Sequence, residues 1–194
     1  MGAGPGMKIF EMEAGSGYYT ELLSSIVGPK GEVVMHNPEA FDNWLGNSVA
    51  ERVDGRLHNV RVSKSNFDAL DAADNSMDMA TWMLGPHDLY YEPTGTSLGN
   101  DAKAFTEAYR ILKPGGTFII VDHAAQTGSP HTTGGTIHRI DQAIVAGFAA
   151  DAGFVLAGES DVLRHPNDDR TLTVFDPSVR RKTDRFILKY KKPE

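Results

Sequence analysis

Three stretches of this chain carry residue types able to do chemistry. The first is Glu11-Met12-Glu13-Ala14-Gly15-Ser16-Gly17-Tyr18. Its glycines let backbone approach a ligand closely, and a helix starting there offers free N–H groups. The second comprises His87-Asp88 and Asp122-His123, each joining an imidazole that titrates near neutrality to a carboxylate. Such a pair suits proton transfer, with histidine as the base and Asp88 or Asp122 orienting the ring or steadying its charged form. The third is His165, Asn167, Asp168, Asp169 and Arg170, polar groups suited to holding a substrate. His87, Asp88, His123 and His138 could instead assemble a site for zinc, iron or manganese. They lack the spacing of a known metal motif, and no metal is expected.

Two nucleotide readings of the glycine loop compete. A nicotinamide fingerprint wants a third glycine where Thr20 stands, and an acidic residue about 20 positions on, near Asn37. A phosphate-binding loop wants Gly-Lys-Ser/Thr, which is absent.

The elements that must position these residues alternate. Met7 to Met12 reads as a strand, and the helix after it sets Tyr19, Leu22, Leu23 and Ile26 on one face. Gly28-Pro29 ends that helix. Val33-Val34-Met35 is a second strand closed by Asn37-Pro38, and Phe41 to Val53 reads as one helix with Trp44, Leu45, Val49 and Val53 apolar. Val60-Arg61-Val62 and Met77 to Leu84 are the third and fourth strands. Asp101 can cap a helix that buries Phe105, Ala108 and Leu112 and ends at Lys113-Pro114-Gly115-Gly116. Phe118 to Val121 is an unbroken apolar run, as in a parallel strand covered on both faces. Asp141 can cap a helix with Ile144 and Phe148 inward and Gly153 at its end. Phe154-Val155-Leu156 opens a sixth strand and Phe186-Ile187-Leu188 lies in a seventh. Strands alternating with helices give an α/β fold with a parallel sheet, and ligands bind beyond the carboxyl ends of its strands. Leu163 to Thr183 is long for a link between strands and is expected to be a loop over the acceptor side.

At 194 residues the chain is expected to form a single domain, residues 1–194. A net charge of −7 argues against nucleic acid as partner. No apolar run reaches the length of a membrane span, so no membrane partner is expected and the cytoplasm is the expected location. The absence of cysteine excludes disulfides and thiolate chemistry. Residues 179–194 hold seven basic and two acidic residues, read as a basic final strand with solvated side chains.

The sequence resembles the class I S-adenosylmethionine-dependent methyltransferases. The likeness rests on Glu11 followed by Ala14-Gly15-Ser16-Gly17, and on Arg110-Ile111-Leu112-Lys113-Pro114-Gly115-Gly116 leading into a buried strand. It is similar more closely to a group of bacterial predicted methyltransferases of undefined substrate, through Gly-Ser-Gly-Tyr-Tyr-Thr at 15–20, Asn37-Pro38, Pro86-His87-Asp88-Leu89-Tyr90, Val121-Asp122-His123, His138-Arg139-Ile140-Asp141, Asn167-Asp168-Asp169-Arg170 and Lys182-Thr183-Asp184-Arg185-Phe186. The resemblance implies a Rossmann-like, seven-stranded, mostly parallel sheet with the last strand antiparallel and helices on both faces. It implies S-adenosylmethionine as cofactor, held by Glu11, Glu13, Ala14, Gly15, Ser16, Gly17 and Tyr18, with Asn37 on the ribose and Asn66 and Phe67 near the adenine. It places His87, Asp88 and His123 at the transferring methyl, and a small-molecule acceptor near Tyr90, His165, Asn167, Asp169 and Arg170.

Two residues depart from that pattern: Glu13 stands where most of the superfamily has glycine, and Asn37 replaces an acidic ribose ligand. Such proteins usually carry covering helices before the first strand, and with six residues before Met7 these helices are expected to be missing here. A neighbouring subunit is one way to cover the cofactor, hence a possible homodimer. The functional expectation is methyl transfer to a small molecule. The alternatives are a cofactor-binding sensor or scaffold without transfer activity, and breakdown of the sulfonium.

Overall fold

The computed structural model describes residues 1–194, the side chain of Thr94 excepted. The elements are β1 (Lys8–Met12), α1 (Tyr18–Val27), β2 (Glu32–His36), α2 (Asp42–Leu45), α3 (Ser48–Val53), β3 (Val60–Ser63), β4 (Met77–Met83), α4 (Asp101–Ile111), β5 (Leu112–His123), α5 (Thr133–Ile137), α6 (Gln142–Asp151), β6 (Val155–Ser160) and β7 (Arg185–Lys191). The sheet has seven strands in the order β3-β2-β1-β4-β5-β7-β6. β1 to β5 are parallel, and β7 runs antiparallel to both β5 and β6. This is the expected Rossmann-like architecture. Strand order reverses between β1 and β4, so the loops after β1 and β4 open on one crevice.

Apolar strand residues fill both faces. On one, Phe10, Val34, Ala80, Trp82, Phe118 and Ile120 pack with Phe105 and Ala108 of α4 and Val145 and Ala149 of α6. On the other, Ile9, Val33, Met79 and Ile119 pack with Leu23 and Val27 of α1.

Several local expectations are corrected. The buried face of α1 is Thr20, Leu23, Ser24 and Val27. Tyr19, Leu22 and Ile26 are exposed. Hydrogen bonding sets this rotation, because Thr20 Oγ1 donates to Glu11 Oε2 at 2.5 Å and Ser24 Oγ to Asn59 Oδ1 at 2.5 Å. Counting apolar residues alone cannot see such partners. The single helix read over Phe41 to Val53 is broken at Gly46, whose φ of +53° leaves the helical region. Trp44 consequently stands 77% exposed rather than packed. The cap of α4 is Asn100, which accepts from the Lys103 N–H at 2.9 Å, and Asp101 is the first helical residue. Lys113 to Gly116 form an irregular start to β5, with register shifting between the Met77–Leu112 and Met79–Thr117 pairs. In the basic tail, Lys192 is buried, its ammonium donating to Asn75 Oδ1, Tyr109 O and Leu112 O at 2.7–2.9 Å. It fastens the chain end instead of facing solvent.

Candidate active site

A cleft of about 600 Å³ opens at the carboxyl edge of the sheet, within the usual range for small-molecule sites. Its floor is the loop after β1, which three contacts from the end of β2 hold in place. His36 Nδ1 accepts from the Glu13 N–H at 3.4 Å, the His36 carbonyl from Ala14 N at 2.8 Å, and Asn37 Oδ1 from Gly15 N at 2.8 Å. The Asn37 amide also donates back to the Gly15 carbonyl at 3.0 Å. Asn37 is buried with both polar ends on the loop, so it shapes the loop and does not line the cleft. Burial lowers His36 to about 4, leaving a neutral ring whose Nε2 donates to the Ser65 carbonyl at 2.8 Å.

The two glycines do different work. Gly15 has φ +57°, and a Cβ there would meet open space beside the cleft. Gly17 has φ +83°, and a Cβ there would lie 2.9 Å from Met35 Cε and from Arg52 Cγ. Gly17 is therefore a packing glycine under the loop. Glu13 is held at φ +53°, a left-handed conformation that glycine adopts without strain. Its carboxylate accepts from Trp82 Nε1 at 2.8 Å. Burial, and then the charge of Asp88, push its carboxyl well above the usual range. Glu11 lies behind the loop, buried against Thr20, and burial pushes it up to about 7.

The wall of the cleft is a string of histidines and carboxylates. Pro86–Tyr90 form one 3₁₀ turn after β4 that carries His87 and Asp88. His87 Nδ1 lies 2.7 Å from Asp122 Oδ1, and its backbone N–H donates to Asp122 Oδ2 at 2.9 Å. On its other side, Nε2 is 3.3 Å from Asp88 Oδ1. His138 Nδ1 reaches the same oxygen at 3.2 Å. Burial alone would strip the His87 proton, but the charges of Asp122 and then Asp88 outweigh it and raise His87 to about 9. His87 is thus an imidazolium at neutral pH, not the free base expected from sequence. Burial opposes the charge on Asp88, yet the facing His87 holds it at the low end of the carboxylate range. His123 is lowered to about 4, chiefly by burial, with His87 among the opposing charges. Its Nδ1 shares a 2.7 Å hydrogen bond with Thr183 Oγ1, and it faces the cleft.

The remaining lining is apolar and aromatic: Ala40, Phe41, Trp44, Met83, Leu84, Tyr91, Val174 and Phe175, with Ser16 and Tyr18 at the rim. Sequence reasoning missed most of these. Their common signal is position, since Phe41 and Trp44 follow β2, and Met83 and Leu84 end β4. The residues expected at the adenine do not line this cleft. Phe67 is fully buried against His36 and Trp82, and Asn66 is exposed outside the cleft.

The residues expected at the acceptor also lie outside it. Tyr90 donates to Asp101 Oδ2 at 3.0 Å, Asp169 caps the turn at Thr171, and Asn167 is exposed. Arg170 pairs with Asp184 at 2.9 Å, and the His165 N–H donates to the same carboxylate at 2.7 Å. This segment is a strut built on Arg139 and Asp168, both buried and joined by two hydrogen bonds of 2.9 and 3.1 Å. The strut presents Val174 and Phe175 to the cleft.

Among the described residues no helix is long and apolar enough to cross a membrane. Comparison with known proteins agrees with this architecture. Residues 1–133 match the model of the ubiE/COQ5 methyltransferase family. The "Ubiquinone/menaquinone biosynthesis C-methyltransferase UbiE" of Shewanella putrefaciens is 32% identical over 121 residues, 62% of this chain and 44% of that protein. The protein of the same name from Shewanella oneidensis is 33% identical over 122 residues, again 62% and 44%. The match thus spans less than half the length of these curated relatives. Among solved structures, a SAM-dependent methyltransferase from Aquifex aeolicus superposes with a TM-score of 0.70 at 21% identity, covering 98% of this chain and 85% of that one. An arsenic(III) S-adenosylmethionine methyltransferase from Chlamydomonas reinhardtii superposes at 0.67 with 17% identity, covering 100% and 66%. At such identities the likeness is one of fold. Family model, relatives and fold agree with the motifs first read at Glu11–Gly17 and Arg110–Gly116: the chain belongs to the ubiE/COQ5 methyltransferase family, within the class I S-adenosylmethionine-dependent fold.

Proposed function

We propose that the protein transfers a methyl group from S-adenosylmethionine to a small, hydroxylated aromatic acceptor. The observation that carries this reading is that one cleft joins the Glu13–Ser16 floor, an aromatic wall and an imidazole–carboxylate array. The floor fits the cofactor. Gly15 leaves room for close approach, the first turn of α1 opens at the loop, and burial disfavours a charge on the Glu13 carboxyl beside it. Exposed Trp44, backed by buried Phe41, offers a flat surface on the adenine side. S-adenosylmethionine, when bound, supplies an electrophilic methyl. The protein's own task is alignment and proton removal. Tyr91, Val174 and Phe175 hold the acceptor ring and exclude water. The His87 imidazolium stays fixed between Asp88 and Asp122. His123, neutral at neutral pH and reaching the cleft, accepts the acceptor's proton. The choice of a hydroxylated aromatic draws on the relatives' names, which speak of ubiquinone and menaquinone biosynthesis.

The test is incubation of the protein with methyl-labelled S-adenosylmethionine and a panel of phenols and quinols, reading S-adenosylhomocysteine and labelled product. Label transfer that falls by about 10²-fold in His123→Gln supports the reading, at the lower end for a general base. Consumption of the cofactor at equal rate without acceptor, or binding with no transfer to any of the panel, overturns it.

A further inference from the structure

We propose that His87 Nε2, Asp88 Oδ1 and His138 Nδ1 form a binding site for a divalent transition-metal cation in the wall of the cleft. The three atoms lie within 4.8 Å of one another, with His87–Asp88 at 3.3 Å and His138–Asp88 at 3.2 Å. Ligands about 2.0–2.2 Å from one metal, at angles between octahedral and tetrahedral, stand about 3.0–3.5 Å apart. The two separations from Asp88 Oδ1 are therefore those of co-ligands.

Hydrogen bonding explains the cluster less well. Asp88 Oδ1 is buried between two imidazoles at 3.3 and 3.2 Å, close enough for ion pairing but without good hydrogen-bond geometry to either. A buried oxygen in that state calls for a partner. A cation between the two rings would supply one.

The surroundings are those of a ligand set. The other nitrogen of His87 is engaged by the buried Asp122 carboxylate at 2.7 Å, the outer contact that orients metal-binding histidines. Three carboxyl groups, Glu13, Asp88 and Asp122, converge here. Among the described residues none of them is paired with a lysine or arginine.

The ligands come from two elements locked together. A Cβ on Gly134 or Gly135 would lie 2.3 or 2.1 Å from the carbonyls of His87 and Tyr90, so α5 rests directly on the 86–90 turn. His138, at the end of α5, is turned into the left-handed region with φ 54°. The spacing is thus fixed by packing and not by two mobile loops.

Two imidazoles and one carboxylate suit zinc or iron(II), and the cation would take the place of the proton that His87 Nε2 holds toward Asp88, releasing it to solvent. Three protein ligands leave coordination positions free, and His87, Asp88 and His138 all line the cleft. An oxygen of the acceptor can approach from that side. This use of the cation, though not the site itself, rests on the methyl-transfer reading.

The test is titration of chelator-treated, dialysed protein with cobalt(II), followed by its visible absorption, with zinc added afterwards as competitor. The expected result is one equivalent of cobalt, displaced by zinc, with affinity at least tenfold weaker in both His138→Gln and Asp88→Asn. Absence of cobalt binding by the parent, or equal affinity in both variants, overturns the site. Binding of S-adenosylhomocysteine is measured on the same samples. If it binds and cobalt does not, the metal site fails alone. If cobalt binds and it does not, the cofactor reading fails alone.

Discussion

His87 and Asp122 are joined twice: the imidazole Nδ1 lies 2.7 Å from one carboxylate oxygen, and the His87 backbone N–H donates to the other at 2.9 Å. The end of β5 thereby fixes both the ring and the turn that carries it. Asp122 is fully buried and also accepts from the His123 N–H at 2.7 Å. One carboxylate thus organises two of the three histidines on the cleft, His87 and His123.

Asp122→Asn removes the largest charge favouring His87 protonation while nearly keeping its shape. In chelator-treated protein, the His87 titration followed by NMR should fall from about 9 by at least one pH unit, the usual effect of losing a close opposite charge. An unchanged midpoint would show that Asp122 does not set the ring's charge.

Glu11 predicts a pH dependence of stability. Its ordinary value of 4.5 is raised to about 7 in the folded state, first by burial. Below pH 4.5 both folded and unfolded forms hold the proton. Between 4.5 and 7 only the folded form does, so stability falls as pH rises through that window. The full effect is roughly 3 kcal/mol at 1.36 kcal/mol per pH unit. Glu11→Gln keeps an acceptor for Thr20 and should flatten the curve, gaining stability over the parent above pH 7. Denaturant unfolding from pH 4 to 8 measures it. Parallel curves for the two proteins would contradict the assignment.

Asn37 should act on the loop. Asn37→Ala removes two hydrogen bonds to Gly15, each worth about 0.5–1.5 kcal/mol. We expect lower stability together with weaker S-adenosylhomocysteine binding, read by unfolding and calorimetry. Weaker binding at unchanged stability would instead mean direct contact with the ligand.

The buried Arg139–Asp168 pair predicts a large effect on stability from residues that do not line the cleft. Asp168→Asn leaves the fully buried guanidinium without its counter-charge and should cost about 3–5 kcal/mol. Thermal unfolding checks it, and a loss below about 1 kcal/mol would show the strut to be incidental.

The strand alternation, the glycine loop and the apolar run at Phe118–Val121 made the sheet legible in the sequence, because each is a local pattern. The strand order follows from the resemblance those motifs carry. His87, Asp88 and His123 do meet on one cleft, as their places at strand ends implied. Their charge states were not legible: the proton on His87 depends on Asp122, 35 residues away. Asp169 and Arg170 have their partners in Thr171 and Asp184, which turn them toward a structural use. Trp44 read as core because the break at Gly46 depends on backbone geometry that helical periodicity does not register.

The central claim is that the cofactor lies on the Glu13–Ser16 floor, and calorimetry with S-adenosylhomocysteine against the parent and Gly15→Asn tests it most directly. Asparagine tolerates the left-handed φ of +57° better than other side chains, and its side chain would project into space that is open beside the cleft. The account predicts one bound equivalent for the parent, and binding at least tenfold weaker for a Gly15→Asn protein whose thermal unfolding stays close to the parent's. No binding by the parent, or equal affinity for the two proteins, would contradict it.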